Sequence, residues 1–573
     1  MMTDVLFRTR NIVQERKLLL LFMVCWFIVN CLQASFLGLD GDEAYYWVLS
    51  QNISWGYFDH PPLAPLLINI GESIAHGSLF TRLATIILST LTIPLVYGAL
   101  PGRLQNIKWF VILYASTLIF NVYGFITTPD APLFFFSALF FYGYKQFLKT
   151  QNIGNTLIMA VAVTGMFYSK YHGILPVIFV VLSNIRLLKN KYFWLMVILV
   201  TVLFLPHLYW QYQYNWPTVR YHLVERLSKT YRISFTTDYI LGQLLIWGPL
   251  ISLLFFFRIL STRIQGKLTR AHVFNFSGVL LFFAVSSFKN TVEPHWTLIA
   301  GVSYIVLFLN IVQKSNHRFR KGLLRVAYVN IGLILLARIL FLLPHSPFQI
   351  LKHFSPFFWG KEWAAQVNTM ANGKPVIFTN SYAMPALYNF YNPHSAAYGY
   401  STKQYRKTNY SIGLQDCIYD GQQVLIFSSK PLGSDTLRKV QSKYRSGYLL
   451  PITYKCINAL RIKAITLPKL YQSGETLPAV IEITNTGNMP INAATVKIDY
   501  AFFIAKFEFI NSKESYLLPD TVIPPGYTKK LQVQITAPYE PGDYKILFSF
   551  ANGILPGNFA SDFYDVEIVA NNK

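Results

Sequence analysis

Five groups able to move a proton or hold a charge, Asp40, Asp42, Glu43, Asp59 and His60, fall within residues 38–62, GLDGDEAYYWVLSQNISWGYFDHPP, directly after a long apolar run. The first 343 residues contain 11 Asp plus Glu, and four of them lie in this stretch. A carboxylate beside a bilayer is costly unless it is solvated, paired or used, so acids gathered at the end of a membrane-length run point to a site. The plain alternative is a solvated loop. Against it stand the interleaved aromatics Tyr45, Tyr46, Trp47, Trp55, Tyr57 and Phe58 and the rigid exit Pro61-Pro62.

Other polar groups sit at the ends of later apolar runs: Thr128-Pro129-Asp130, Lys170-Tyr171-His172, the stretch 210–217, and Lys289-Asn290 with Glu293-Pro294-His295-Trp296. If these meet at one leaflet, carboxylates and cations share a membrane surface. That suits transfer from a lipid phosphate, in which a carboxylate deprotonates an acceptor hydroxyl and cations stabilise the departing phosphate.

The elements that must position these groups are membrane helices. Of 573 residues, 53% are hydrophobic, 16% aromatic and only 13% charged, about half the usual charged share of a soluble domain. The formal charge of +24 does not signal nucleic acid, because the basic residues form short clusters between apolar runs, as cytoplasmic loops do. Runs near 17–36, 79–98, 109–126, 131–148, 155–170, 172–188, 192–210, 239–258, 272–288, 296–313 and 326–343 predict about eleven spanning helices, with twelve or thirteen as the other count. The first run is too long for a cleaved signal and no small-x-small site follows it, so it reads as a signal anchor. With the N-terminus cytoplasmic, each predicted inner loop is basic. The nine acids from Asp40 to Glu293, which played no part in setting the orientation, then all fall on the outer side.

That outer side holds more than connections. Residues 62–76 suit a helix lying in the interface, and residues 211–238 carry Arg220, Arg226, Lys229 and Arg232 against the positive-inside trend. These cations suggest an anionic partner such as lipid phosphate, with headgroup anchoring as the alternative. The chain divides into a membrane domain, 1–344; a small α/β domain, 345–459; and an immunoglobulin-like β-sandwich, 460–573, whose strands alternate between turn signals. Cys25 and Cys31 lie in the first run; Cys417 and Cys456 either pair in an oxidising compartment or remain free.

DEAYY, FDHPPL, TPDAPLFFF, SKYHGIL and PHWT together resemble the polytopic GT-C glycosyltransferases of the protein mannosyltransferase and aminoarabinose transferase superfamily, over residues 15–345. The resemblance implies an enzyme that moves a sugar from a polyprenyl-phosphate carrier, with inversion, to an acceptor outside a bacterial cytoplasmic membrane. That acceptor is lipid, protein or another envelope glycan. It implies Asp42 as general base, with a helix cap as the alternative; Glu43 orienting a backbone or a cation; and Asp130 as second acid or N-cap. Lys170, His60, Arg82 and Arg338 become candidates for the carrier phosphate, and Tyr45, Asp59, Lys289, His295 and Trp296 for the substrate. Asp59 and His60 stand where aminoarabinose transferases carry a Glu-Lys pair, and a His is charged only part of the time near neutral pH. Some relatives place a divalent metal at this position, which makes Asp59 and His60 possible ligands; no other cofactor is implied. NTGN, IPPG, ITAP and the PGDY turn resemble cell-surface immunoglobulin-like modules, which bind or space. The rival functions are a transporter or flippase of a lipid-linked sugar, which needs a polar path across the spans, and a non-catalytic envelope scaffold.

Overall fold

The computed structural model describes residues 2–221, 230–259, 265–412, 415–431, 438–505, 508–512, 514–518 and 520–571. The chain forms two compact units. One comprises Met1–Asn215 and Tyr231–Phe357, the other Trp216–Thr230 and Phe358–Lys573.

The first unit is helical throughout. In chain order its helices are α1 (Met2–Phe36), α2 (Gly41–Ser50), α3 (Leu63–Glu72), α4 (Ser78–Ala99), α5 (Ile107–Ala115), α6 (Leu118–Val122), α7 (Asp130–Lys149), α8 (Ile153–Ser169), α9 (Ile174–Ser183) and α10 (Lys191–Gln213). After the short α11 (Pro217–Arg220), which belongs to the second unit, come α12 (Ile233–Ile246), α13 (Ile251–Ile259), α14 (Lys267–Ser286), α15 (Gly301–Lys314) and α16 (His317–Leu342). All eleven apolar runs read from the sequence are helical. Among the described residues six helices are long and apolar enough to cross a membrane unbroken, and a seventh span arises if the bent pair α12–α13 counts as one.

Part of the shortfall comes from local breaks. Hydroxyls of Ser116 and Thr117 both turn back onto the Leu113 carbonyl and end α5. Between α12 and α13 the axis bends by 109°, at Gly248 with φ +111°. Asn330 of α16 satisfies the backbone there, donating to the Ser116 carbonyl (2.5 Å) and accepting from Leu250 N (3.3 Å). Backbone freed inside a bilayer has to find such partners. A continuous apolar core runs through α4, α5, α7, α8, α14 and α15, and α15 is buried along nearly its whole length.

The second unit has two parts. Helices α17 (Ser355–Ala371) and α18 (Ala383–Tyr391) accompany a five-stranded sheet. In it Val376–Thr379 pairs in parallel with Ala397–Tyr400 and Gln423–Ser428, and Gly447–Thr453 continues antiparallel to Arg438–Val440. Fully buried Trp363 of α17 packs on Phe378 and Phe427 of that sheet. The remainder is β-rich. A three-stranded sheet (Thr528–Thr536, Thr476–Asn485, Leu460–Thr466) and a larger one centred on Val496–Ala505 and Gly542–Asn552 bury their inner faces in one core, with Ile481, Ile483 and Val533 against Phe502, Phe548 and Val566. Cys417 and Cys456 form a disulfide.

Buried polar groups fasten the two parts together. Lys403 Nζ lies 2.9 Å from Asp499 Oδ2, and Asn558 donates to Asn458, which donates to Asp416. Arg220, expected at an anionic lipid or partner, instead pairs with Asp562 at 2.5 Å, and Thr230 donates to Glu508. Arg226 and Lys229 lie outside the described residues, and Arg232 is exposed just before α12.

Candidate active site

The turn from α1 into α2 is built by acids. Asp40 N-caps α2, its carboxylate accepting from Asp42 N, and places Asp42 and Glu43 in the first helical turn, where the helix dipole favours negative charge. Burial, with the Asp42 and Glu43 carboxylates close by, pushes the Asp40 carboxyl well above the usual carboxylate range. The next two acids differ sharply in surroundings. Asp42 is exposed, whereas Glu43 has no exposed surface.

Glu43 is held by Arg82 of α4, itself fully buried: Nε donates at 2.8 Å and Nη2 at 2.5 Å. The remaining Arg82 donors reach the Leu37 and Gly38 carbonyls at 2.8 Å and the Ala34 carbonyl at 3.3 Å. Arg82 was expected at the carrier phosphate. The structure corrects this, because every guanidinium donor already ends on a protein acceptor. Glu43 also accepts from Thr127 N at 2.9 Å.

Thr127 leads into the second acid. Its hydroxyl is tied to the Thr81 carbonyl and Thr85, and three residues later Asp130 opens α7. Both Asp130 oxygens accept from Lys170 Nζ, at 2.9 and 3.0 Å, and His295 Nε2 lies 3.6 Å away. The Lys170 ammonium also sits 5.6 Å over the Trp296 ring, and His295 packs 5.3 Å from Tyr123. Lys170 lies at the sharp corner between α8 and the turn Tyr171–Gly173. Glycine is required there, since a Cβ on Gly173 would stand 2.8 Å from the Met166 carbonyl. The loop 123–129 therefore connects the Glu43–Arg82 pair to the Asp130–Lys170–His295 group.

Asp59 and His60 lie in the loop between α2 and α3, wound around Tyr57, whose hydroxyl donates to the Leu49 and Asn52 carbonyls and accepts from Ser54 N. Tyr45 Oη reaches Asp59 at 3.5 Å, and the His60 ring packs on Tyr46 at 5.6 Å. Lys289 is exposed beyond α14, and among the described residues it does not join the Asp130 group. Arg338 of α16 donates through Nη2 to Asn30 (2.9 Å) and the Asn121 carbonyl (2.5 Å), with its guanidinium 5.4 Å over Phe125. Arg82 approaches that ring too, at 5.5 Å.

About three quarters of the chain superposes on ArnT from Cupriavidus metallidurans, solved in the apo state and bound to undecaprenyl phosphate, with a TM-score of 0.53 in both cases. The match takes in 97% of each ArnT chain, at 13% and 14% identity. The chain shares the fold of ArnT. The chain also matches, over residues 59–210, the model of the dolichyl-phosphate-mannose-protein mannosyltransferase family. Lipid A galacturonosyltransferase RgtD of Rhizobium johnstonii is 24% identical over 194 residues, which are 31% of the chain and 40% of that relative's length.

Among the described residues, Asp59 and His60, the metal ligands suggested by the sequence, gain no third His, Cys, Asp or Glu within coordinating reach. Among the described residues only Asp416, Cys417 and Cys456 form such a trio, and two of these are joined as a disulfide. Sequence reading missed Thr127 and Tyr123, because a backbone N–H and a ring contact leave no signature in residue type or spacing.

Proposed function

We propose that this protein transfers a sugar from a polyprenyl-phosphate carrier to an acceptor hydroxyl at the outer face of a bacterial cytoplasmic membrane. One observation carries the reading: an exposed carboxylate, Asp42, is fixed beside a buried ion pair that is tied through Thr127 to a second acid holding a lysine and a histidine. Asp42 accepts the acceptor's hydroxyl proton as its oxygen attacks the anomeric carbon. The bond from that carbon to the phosphate oxygen breaks with inversion, and the carrier leaves as polyprenyl phosphate. Lys170 and His60 stabilise the charge that grows on the departing phosphate. Asp130 and His295 hold Lys170 in place, and Tyr45, Asp59 and Trp296 line the sugar and acceptor side.

The ArnT likeness, which includes a complex with undecaprenyl phosphate, supports the carrier class, and the lipid A galacturonosyltransferase supports a lipid acceptor. The disulfide supports export of the second unit to an oxidising compartment. Asp42→Asn removes the base but keeps size and hydrogen bonding. In membranes supplied with labelled polyprenyl-phosphate sugars it should lower turnover by about 10²–10⁴-fold while undecaprenyl phosphate still binds. Near-normal turnover would refute the assignment.

A further inference from the structure

His207 lies near the outer end of α10, 147 positions from His60, and is 1% exposed. Its Nδ1 is 2.7 Å from the Trp55 carbonyl, which can only accept, so Nδ1 carries the hydrogen. Nε2 of the neutral ring is then an acceptor. Tyr171 Oη donates to it at 2.9 Å and itself accepts from Gln211 Nε2 at 3.1 Å. The result is a directed chain from Gln211 through Tyr171 and His207 to the backbone at Trp55.

The two ends of that chain are the two halves of the candidate site. Tyr171 stands between Lys170 and His172, at the corner that presents Lys170 to Asp130. Trp55 belongs to the loop that carries Asp59 and His60. A second contact seats the same loop: the Trp210 ring fills the place of a side chain at Gly56, where a Cβ would come within 2.4 Å of it. His207 and Trp210 are stacked, with their planes 18° apart, so one turn of α10 grips the loop at consecutive residues.

We infer that His207 is a positioning residue, which sets the spacing between the Lys170 corner and the Asp59–His60 loop by bonding to both. The inference rests on the reading of Lys170 and His60 as carrier-phosphate groups. It requires a neutral imidazole of fixed tautomer, and neither a phenyl ring nor an imidazolium can donate at one end and accept at the other.

The test uses full-length protein in nanodiscs, with undecaprenyl phosphate as the binding probe and hydrogen exchange of residues 52–60 as a second readout. His207→Phe should speed exchange in that loop and raise the Kd for the probe about tenfold with the number of binding sites unchanged. Tyr171→Phe, which deletes one hydroxyl, should raise the Kd as well, and the double variant should bind no more weakly than His207→Phe alone. Additive losses, unchanged exchange in His207→Phe, or a Tyr171→Phe protein that loses sites at an unaltered Kd would each overturn the inference. Wild-type protein that fails to bind the probe would overturn the carrier reading instead, and exchange in the loop would then decide the role of His207 by itself.

Discussion

Glu43 and Arg82 share a dry environment, and each is tolerable there only because the other is present. Removing one partner from such a pair leaves an uncompensated charge and costs about 3–5 kcal/mol. Glu43→Gln should accordingly lower the thermal midpoint in detergent and the yield of folded protein. Arg82→Lys should not substitute for the native residue, because an ammonium cannot reach Glu43 and three carbonyls from one planar fork. Asp42, Asp130, Lys170 and His295 stand out in the sequence as rare charged residues at the ends of apolar runs, and the structure brings the last three together. The fate of Arg82 was not legible in the sequence. An arginine that braces a turn and one that binds phosphate have the same composition and spacing, and only the acceptors 39 to 48 positions away distinguish them. Asp416, in the second unit, illustrates the same point through pH. Burial raises its carboxyl, although Tyr454 and Asn458 donate to Oδ2, while Oδ1 has no partner among the described residues. The folded chain keeps a proton that the unfolded chain releases near pH 4, so stability falls as pH rises from about 4 through the raised value. Asp416→Asn should flatten that slope and raise the unfolding midpoint at pH 7 relative to wild type.

Helices α3 and α4 cross where one has no side chain. A Cβ on Gly71 would stand 1.9 Å from the Phe80 carbonyl oxygen, a backbone atom that cannot rotate away. Gly71→Ala should force the two helices apart, at a cost of about 1–3 kcal/mol in thermal stability. It should also disturb Arg82, two residues beyond Phe80, and so weaken carrier binding beyond what the loss of stability explains. The apolar runs read from the sequence all fall on helices, because apolar composition persists across a kink. Hydropathy overcounted unbroken spans for the same reason: the hydroxyl caps at Ser116 and Thr117 and the glycine bend before α13 leave the running average unchanged. Strand runs in the second unit were legible from their alternation. The pairing of Val376–Thr379 with Gln423–Ser428 was not, as parallel partners lie far apart in sequence.

Orientation can be read through the disulfide. In intact spheroplasts a membrane-impermeant maleimide should label Cys417 and Cys456 only after treatment with an impermeant phosphine. Labelling that required permeabilised cells would place the second unit on the cytoplasmic side and overturn the proposed face. The sequence suggested two soluble domains beginning at 345 and 460, each with its own pattern. The structure fastens them into one unit through Lys403–Asp499 and the Asn558–Asn458–Asp416 chain, pairings of long sequence separation that no local pattern announces. The same unit reclaims Trp216–Thr230 from the midst of the helices, with Arg220 on Asp562 and Thr230 on Glu508. Those partners lie 342 and 278 residues further along, so a ribosome making about 5–20 residues per second reaches them only after many seconds more of synthesis. For that interval the segment is a nascent chain awaiting its mate. Polypeptides that terminate before residue 508 never complete it, and they should be the ones that quality-control proteases remove first.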